Sequence, residues 1–176
     1  MDLLETDPLE RLAASIRDRT AVVAVIGLGY VGLPLLVGVH EAGFETIGLD
    51  ADATKIDALR AGRSYVVDVA SSEIEALDPT AFATDPATLD RADVVVLCLP
   101  TPLADGAPDL SMVRAAAETV TEHLRPGVLV VLESTTWPGT TEEFLRPILE
   151  ASGLEAGTDF ALAYSCLLYT SDAADE

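Results

Sequence analysis

The 176-residue chain reads as an α/β protein, a single domain with one parallel sheet doubly wound by helices. Three observations point there. Short Val/Ile/Leu runs without polar alternation recur as "AVVAVIG", "DVVVLCL" and "VLVVLE", the mark of strands buried on both faces. Segments of helical period separate them, so successive strands are joined by right-handed crossovers and not by hairpins. At 49% hydrophobic residues, the length suffices for one well-buried core and falls short of two.

The elements follow in order. The amphipathic stretch 8–19 precedes the alternation and is expected to pack as a helix on an edge. Residues 21–29 form the first strand, ending in glycines, and 30–43 a helix closed by Gly43. "FETIGLD" (44–50) is the second strand, and 52–62 a helix with Asp52 as N-cap and Gly62 as its stop. Residues 63–80 show no period that assigns them. A short strand at 82–85 precedes a short helix at 86–92 with Pro86 in its first turn. Then come a strongly apolar strand (93–100), a loop (101–109) and a helix (110–124) that Ser111 caps. After the "RPG" turn, a strand at 128–135 leads to a helix at 140–153, bent at Pro147, and a last strand at 159–165.

The formal charge is −20, from 30 acidic and 10 basic side chains. Such a surface repels phosphate backbones and anionic membranes, so neither nucleic acid nor membrane is expected as a partner. No apolar run approaches the ~20 residues that cross a bilayer. The start, "MDLLETDPLERLAASIRDRT", lacks the basic and apolar regions of a signal peptide, so the cytoplasm is the expected compartment. Two cysteines, Cys98 and Cys166, suggest no disulfide framework, and no metal site is expected. His40 and His123 read as surface or edge residues of helices.

"VIGLGYVG" places Gly27, Gly29 and Gly32 in the spacing G-x-G-x-x-G between a strand and a helix. The first glycine permits the tight turn, the second lets a pyrophosphate approach the backbone, and the third lets helix and strand pack closely. The helix N-terminus offers N–H groups and a positive dipole end to phosphates. Asp50 ends the next strand, 18 positions beyond Gly32, where a ribose-binding carboxylate belongs. The pattern predicts a Rossmann-like dinucleotide fold. Asp52 stands nearby and no arginine follows closely, so a 2′-phosphate would be repelled and NAD is favoured over NADP. Lys55 reads either as a solvated helix charge or as a contact to the cofactor's ribose or phosphate.

Ligands of open α/β sheets sit beyond the carboxyl ends of the strands. Two such ends are polar here, "CLPTPL" (98–103) and "ESTTWPGTT" (133–141). They place the hydroxyls of Thr101, Ser134, Thr135 and Thr136 where the nicotinamide half would lie. Thr135 and Thr136 also suit a helix cap or a turn.

The stretches "VIGLGYVGLPL", "GLDADATKIDALRAGRSY", "DVVVLCLPTPL", "PDLSMV", "LESTTWPGTTEEFLRPILE" and "GTDFALAYS" together resemble the UDP-sugar 6-dehydrogenases. These enzymes oxidise C6 of a nucleotide sugar to a carboxylate with two NAD. The resemblance runs from about residue 8 to 165. "PTPL" and "ESTTWPGTTEE" are most similar to the branch acting on UDP-N-acetylglucosamine, although Trp137 stands where that branch often has tyrosine or proline. The resemblance implies that Gly27, Leu28, Gly29, Tyr30, Val31 and Gly32 hold the pyrophosphate, with Asp50 and Lys55 at the adenosine ribose. It implies that Thr101, Ser134 and Thr135 line the nicotinamide side, Thr135 also positioning water and substrate near C6. It implies a homo-oligomeric intact enzyme. The family's chemistry also needs a thiolate, an oxyanion-stabilising lysine and a general-base carboxylate. No position here matches them. Cys98 lies in an apolar strand and reads as a small core residue, and Cys166 is not at a matching position.

After Ser165 the resemblance stops. "CLLYTSDAADE" (166–176) matches the translation of a transposase adapter used to prepare sequencing libraries. The expectation is a truncated domain, native over 1–165, with a non-native tail. A non-catalytic NAD-binding module, a UDP-glucose 6-dehydrogenase fragment and a hydroxyacid dehydrogenase remain as other readings.

Overall fold

A computed structural model describes residues 7–104 and 107–165, so the expected adapter-derived tail at 166–176 lies outside the described residues. Six parallel strands form the main sheet: β1 (Val22–Ile26), β2 (Glu45–Leu49), β3 (Phe82–Ala83), β4 (Val94–Leu97), β7 (Leu129–Glu133) and β8 (Ala161–Ser165). Their order is β3-β2-β1-β4-β7-β8. A small antiparallel pair, β5 (Leu103–Ala104) and β6 (Ala107–Pro108), stands apart in the loop after β4. The winding runs outward from β1 in one direction and then from β4 in the other. The direction reverses between these two strands, which leaves a crevice at their carboxyl ends.

Helices cover both faces. One layer packs α2 (Gly32–Glu41), α3 (Ala53–Arg60) and α4 (Ser71–Glu75) on Val23, Val25, Val94 and Val96. The other packs α5 (Ser111–His123) and α6 (Arg146–Glu150) on Ala24, Val95, Val130 and Leu132. The inner strands β1, β2 and β4 bury residues on both faces, which is why their sequences show no alternation, whereas β7 buries Val130 and Leu132 on one face and half-buries its other residues. Helix α1 (Pro8–Arg17) packs at the β7–β8 edge of the sheet, on the same face as α2. Its Leu9, Leu12 and Ile16 join the α2 layer together with Leu129, Val131 and Ala161, because those strand residues would otherwise lack a cover.

Several expected boundaries change for local reasons. Residues 63–80 contain α4 and a 3-10 turn at Pro79–Ala81, and they bury Val66, Val69, Ile74 and Leu77. A five-residue helix is too short to show a period. Ser111 does not cap α5; it is the first helical residue, and Asp109 Oδ1 accepts its N–H at 2.8 Å. The helix at 140–153 is a π-helical turn at Thr140–Leu145 followed by α6. Pro147 cannot donate to the carbonyl of Glu143 and its ring crowds that carbonyl, so the wider turn takes up the misfit. Asp52 caps α3 as expected, accepting Thr54 N–H at 2.9 Å.

Candidate functional site

A cavity of about 670 Å³ opens at the carboxyl ends of β2, β1, β4 and β7, across the point where the winding reverses. The glycine loop forms its near wall. Gly27 has φ +92°, a conformation that other residues adopt only with strain, and a Cβ there would meet the Cys98 carbonyl oxygen at 2.4 Å. A Cβ on Gly32 would lie 1.9 Å from the Gly27 carbonyl oxygen. A Cβ on Gly29 meets nothing within 4 Å and would project into open space. Two glycines therefore close the turn, while the third leaves a gap in front of the backbone. That gap, at the start of a helix with no side-chain cap, fits a pyrophosphate.

Asp50 is the hub of the β2 end of the cavity. It is buried, and its Oδ2 accepts Leu28 N–H at 2.8 Å and Lys55 Nζ at 2.9 Å, while Oδ1 accepts Asp52 N–H at 2.9 Å. Oδ1 keeps one lone pair for a further donor, such as a ribose hydroxyl. Lys55 is neither purely solvated nor turned away; it forms an ion pair with Asp50. Asp52 also accepts the Thr54 hydroxyl at 2.6 Å, and these bonds from Thr54 hold its carboxyl below the usual range.

Tyr65, which sequence reasoning missed, donates its hydroxyl to the Leu28 carbonyl at 2.7 Å. Burial raises its phenol well above the ordinary range, and the charges of Asp50 and Asp52 add to the effect. It stands at the start of a stretch without period, where no local pattern marks a side chain that reaches back to the glycine loop.

Leu28 differs from expectation. Its side chain is fully buried in the core, its N–H is taken by Asp50 and its carbonyl by Tyr65, so it offers nothing to a phosphate. Gly32 likewise packs beneath the cavity and does not line it, because it seats the helix against Gly27 and Cys98. Gly27, Gly29, Tyr30, Val31, Asp50, Lys55, Thr101, Ser134 and Thr135 do share the lining. Tyr30 is 75% exposed at the rim of this lining.

At the far end the loops after β4 and β7 are tied together. Thr101 Oγ1 donates to the Thr135 carbonyl at 2.6 Å, and Ser134 Oγ donates to the Leu99 carbonyl at 2.8 Å. The Tyr164 hydroxyl on β8 supports the same loop by donating to the Ser134 carbonyl at 3.1 Å. Both threonine and serine protons are thus used on the backbone, leaving those hydroxyls as acceptors toward the cavity. Ser134 is buried, whereas Thr135 is exposed. Thr136 Oγ1 is buried without a partner among the described residues. Two contributions were not foreseen. Met112, Ala115, Ala116 and Thr119 of α5 form one wall, small residues on one helix face being the only available signal. Glu133 ends β7 inside the cavity, and the break in the apolar run "VLVVLE" marks it. Cys98 is buried, and its thiol is pushed up to about 12, chiefly by burial and further by Glu133. It stays protonated at neutral pH and is no nucleophile.

Among the described residues, no helix is long and apolar enough to cross a membrane. Residues 21–166 match the NAD-binding domain of the UDP-glucose/GDP-mannose dehydrogenase family. The chain is 33% identical over 147 residues to the UDP-N-acetyl-D-mannosamine dehydrogenase of Pyrococcus horikoshii, covering 81% of this chain and 35% of that protein. It is 37% identical over 147 residues to the UDP-N-acetyl-D-glucosamine 6-dehydrogenase of Pseudomonas aeruginosa, covering 81% of this chain and 34% of that protein. The structure resembles that of an NDP-N-acetyl-D-galactosaminuronic acid dehydrogenase from Methanosarcina mazei, with a TM-score of 0.78 and 33% identity over 92% of this chain and 37% of that one. The chain spans about a third of the length of these relatives. With its sheet order, glycine turn and strand-end aspartate all in place, the chain belongs to the UDP-glucose/GDP-mannose dehydrogenase family, of which it carries the NAD-binding domain.

Proposed function

We propose that this chain is the cofactor-binding part of a UDP-N-acetylglucosamine 6-dehydrogenase, forming UDP-N-acetylglucosaminuronate, and does not complete the oxidation by itself. The observation that carries the cofactor assignment within the cavity is its polarity. It runs from the buried Asp50 carboxylate at the β2 end to the Thr101, Ser134 and Thr135 loops at the β4–β7 end. NAD bound along it would supply the hydride acceptor. Asp50 would receive a ribose hydroxyl on its remaining lone pair, and the backbone at Gly29, Tyr30 and Val31 would meet the pyrophosphate. The exposed Thr135 would orient water or substrate near the reacting carbon. Residues 1–165 form the NAD-binding unit in this reading, and residues 166–176 play no part.

"PTPL", "ESTTWPGTTEE" and the 37% identity to the Pseudomonas aeruginosa relative support the N-acetylglucosamine substrate. A non-catalytic NAD module is disfavoured by the exposed Thr135 at the far end, which the loop ties engage only through its carbonyl and which mere binding does not require. In this reading the working enzyme is cytoplasmic and, as the resemblance implies, homo-oligomeric. NADH formation from UDP-sugars tests the reading. This chain alone should give no NADH above a protein-free blank. A protein that carries this domain at the full length of its relatives should form two NADH per UDP-N-acetylglucosamine. A faster reaction with UDP-glucose or UDP-N-acetylmannosamine would reassign the substrate.

A further inference from the structure

The two ends of the cavity differ in charge. At the β2 end, Asp50 is paired with Lys55. At the β7 end, Glu133 lines the cavity beside Ser134 and Thr135, and among the described residues no hydrogen bond or ion pair engages its carboxylate. Strand alternation fixes which way it faces. In β7, Val130 and Leu132 turn toward the α5 layer, whereas Leu129 and Val131 turn toward the α2 layer, so a period of two puts Glu133 on the α2 face. Cys98 follows Val94 and Val96 onto that same face, and the Glu133 charge reaches its thiol. The β2 and β7 ends lie three strand spacings apart, roughly 14 Å, a span that suits a dinucleotide lying across the crevice.

We propose that Glu133 sets the redox preference of the site, holding oxidised cofactor, whose nicotinamide ring is cationic, more tightly than reduced cofactor, whose ring is neutral. The proposal rests on the reading above, which puts the nicotinamide at the β4–β7 end. In the oxidation, the substrate carbon gives up a hydride, its hydroxyl releases a proton, and the hydride's electron pair becomes the new C–H bond that cancels the ring's positive charge. The carboxylate thus loses its opposite charge at the moment of transfer. A reaction that uses two NAD in succession needs reduced cofactor to leave and oxidised cofactor to enter, and a carboxylate in this place favours that exchange. A carboxylate facing a cation in a partly solvated cleft should contribute about tenfold in affinity.

Calorimetric titration of the full chain and of Glu133→Gln with NAD+, NADH and ADP-ribose tests this, since ADP-ribose shares everything but the ring. The unmodified chain should bind NAD+ about tenfold tighter than NADH. Glu133→Gln should weaken NAD+ by about tenfold and leave NADH and ADP-ribose within about twofold. Equal loss for NAD+ and NADH, or equal affinity for the two in the unmodified chain, overturns the role of Glu133 while leaving the cofactor site intact. Failure of the unmodified chain to bind ADP-ribose would instead overturn the cofactor reading, and Glu133's role with it.

Discussion

The N–H of Leu28 donates to Asp50 Oδ2 at 2.8 Å, joining residues 22 positions apart in the sequence. The carboxylate proposed to meet the ribose is therefore also a strut of the glycine loop. Binding and folding are coupled at this one side chain, since removing it leaves a buried N–H and Lys55 without their acceptor.

Asp50→Ala should cost about 1–3 kcal/mol of stability and also weaken NAD binding. The unmodified chain should prefer NAD to NADP by about tenfold or more, because a 2′-phosphate would face Asp50 and Asp52. Thermal denaturation reads the first effect and calorimetry the second. Equal affinity for the two cofactors would refute the discrimination.

The glycines should separate folding from binding. Gly32→Ala sets a methyl 1.9 Å from a carbonyl oxygen and should prevent a native glycine turn, seen as a lowered Tm or insolubility. Gly29→Ala meets nothing within 4 Å and should melt within about 0.5–1 kcal/mol of the unmodified chain, yet lose NAD affinity at least tenfold. Full NAD affinity in Gly29→Ala would show that the pyrophosphate lies elsewhere.

Tyr65→Phe deletes the bond to the Leu28 carbonyl and should cost about 1 kcal/mol of stability. Its effect on binding should be selective. NAD affinity should fall several-fold because the loop loosens, whereas adenosine, which has no phosphate, should bind as before. A parallel loss of adenosine would mean that Tyr65 touches the nucleoside itself.

Alkaline pH should report on Cys98. Burial raises its thiol from 9.0 to about 12, so the folded state keeps a proton that the unfolded state releases first. Its contribution is complete below about pH 9 and is lost as the pH climbs toward about 12. The Tm should fall more steeply between pH 9 and 11 in the unmodified chain than in Cys98→Ala. Identical slopes would contradict the buried, protonated thiol, as would rapid alkylation of Cys98 by iodoacetamide at pH 8.

The strands and the aspartate at the end of β2 were legible because each rests on a local rule. "AVVAVIG" and "DVVVLCL" become strands buried on both faces, and Gly27 and Gly32 sit where any side chain would collide. Ser111 and Asp109 show the limit. Both are cap-forming residues two positions apart, and only the backbone geometry decides that Asp109 accepts the N–H of Ser111. Leu28 was misread for a related reason. Its place inside the glycine motif suggests a phosphate contact, but whether its N–H is available depends on an aspartate 22 residues away.

The sequence by itself determined the class of fold, the glycine turn and the choice of cofactor, because backbone sterics, hydrophobic period and one carboxylate at a strand end act over a few residues. Tertiary structure decided what the strand ends do to one another. Strand order brings Thr101 to the Thr135 carbonyl and Ser134 to the Leu99 carbonyl, so that hydroxyls read as ligand donors are spent on tying two loops together. It also lays Glu133, the last residue of an apolar run, into the cavity, and hangs Tyr65 from an unassigned stretch onto the glycine loop. These pairings join residues far apart in the chain, and they exist only once the parallel sheet has set its strands side by side.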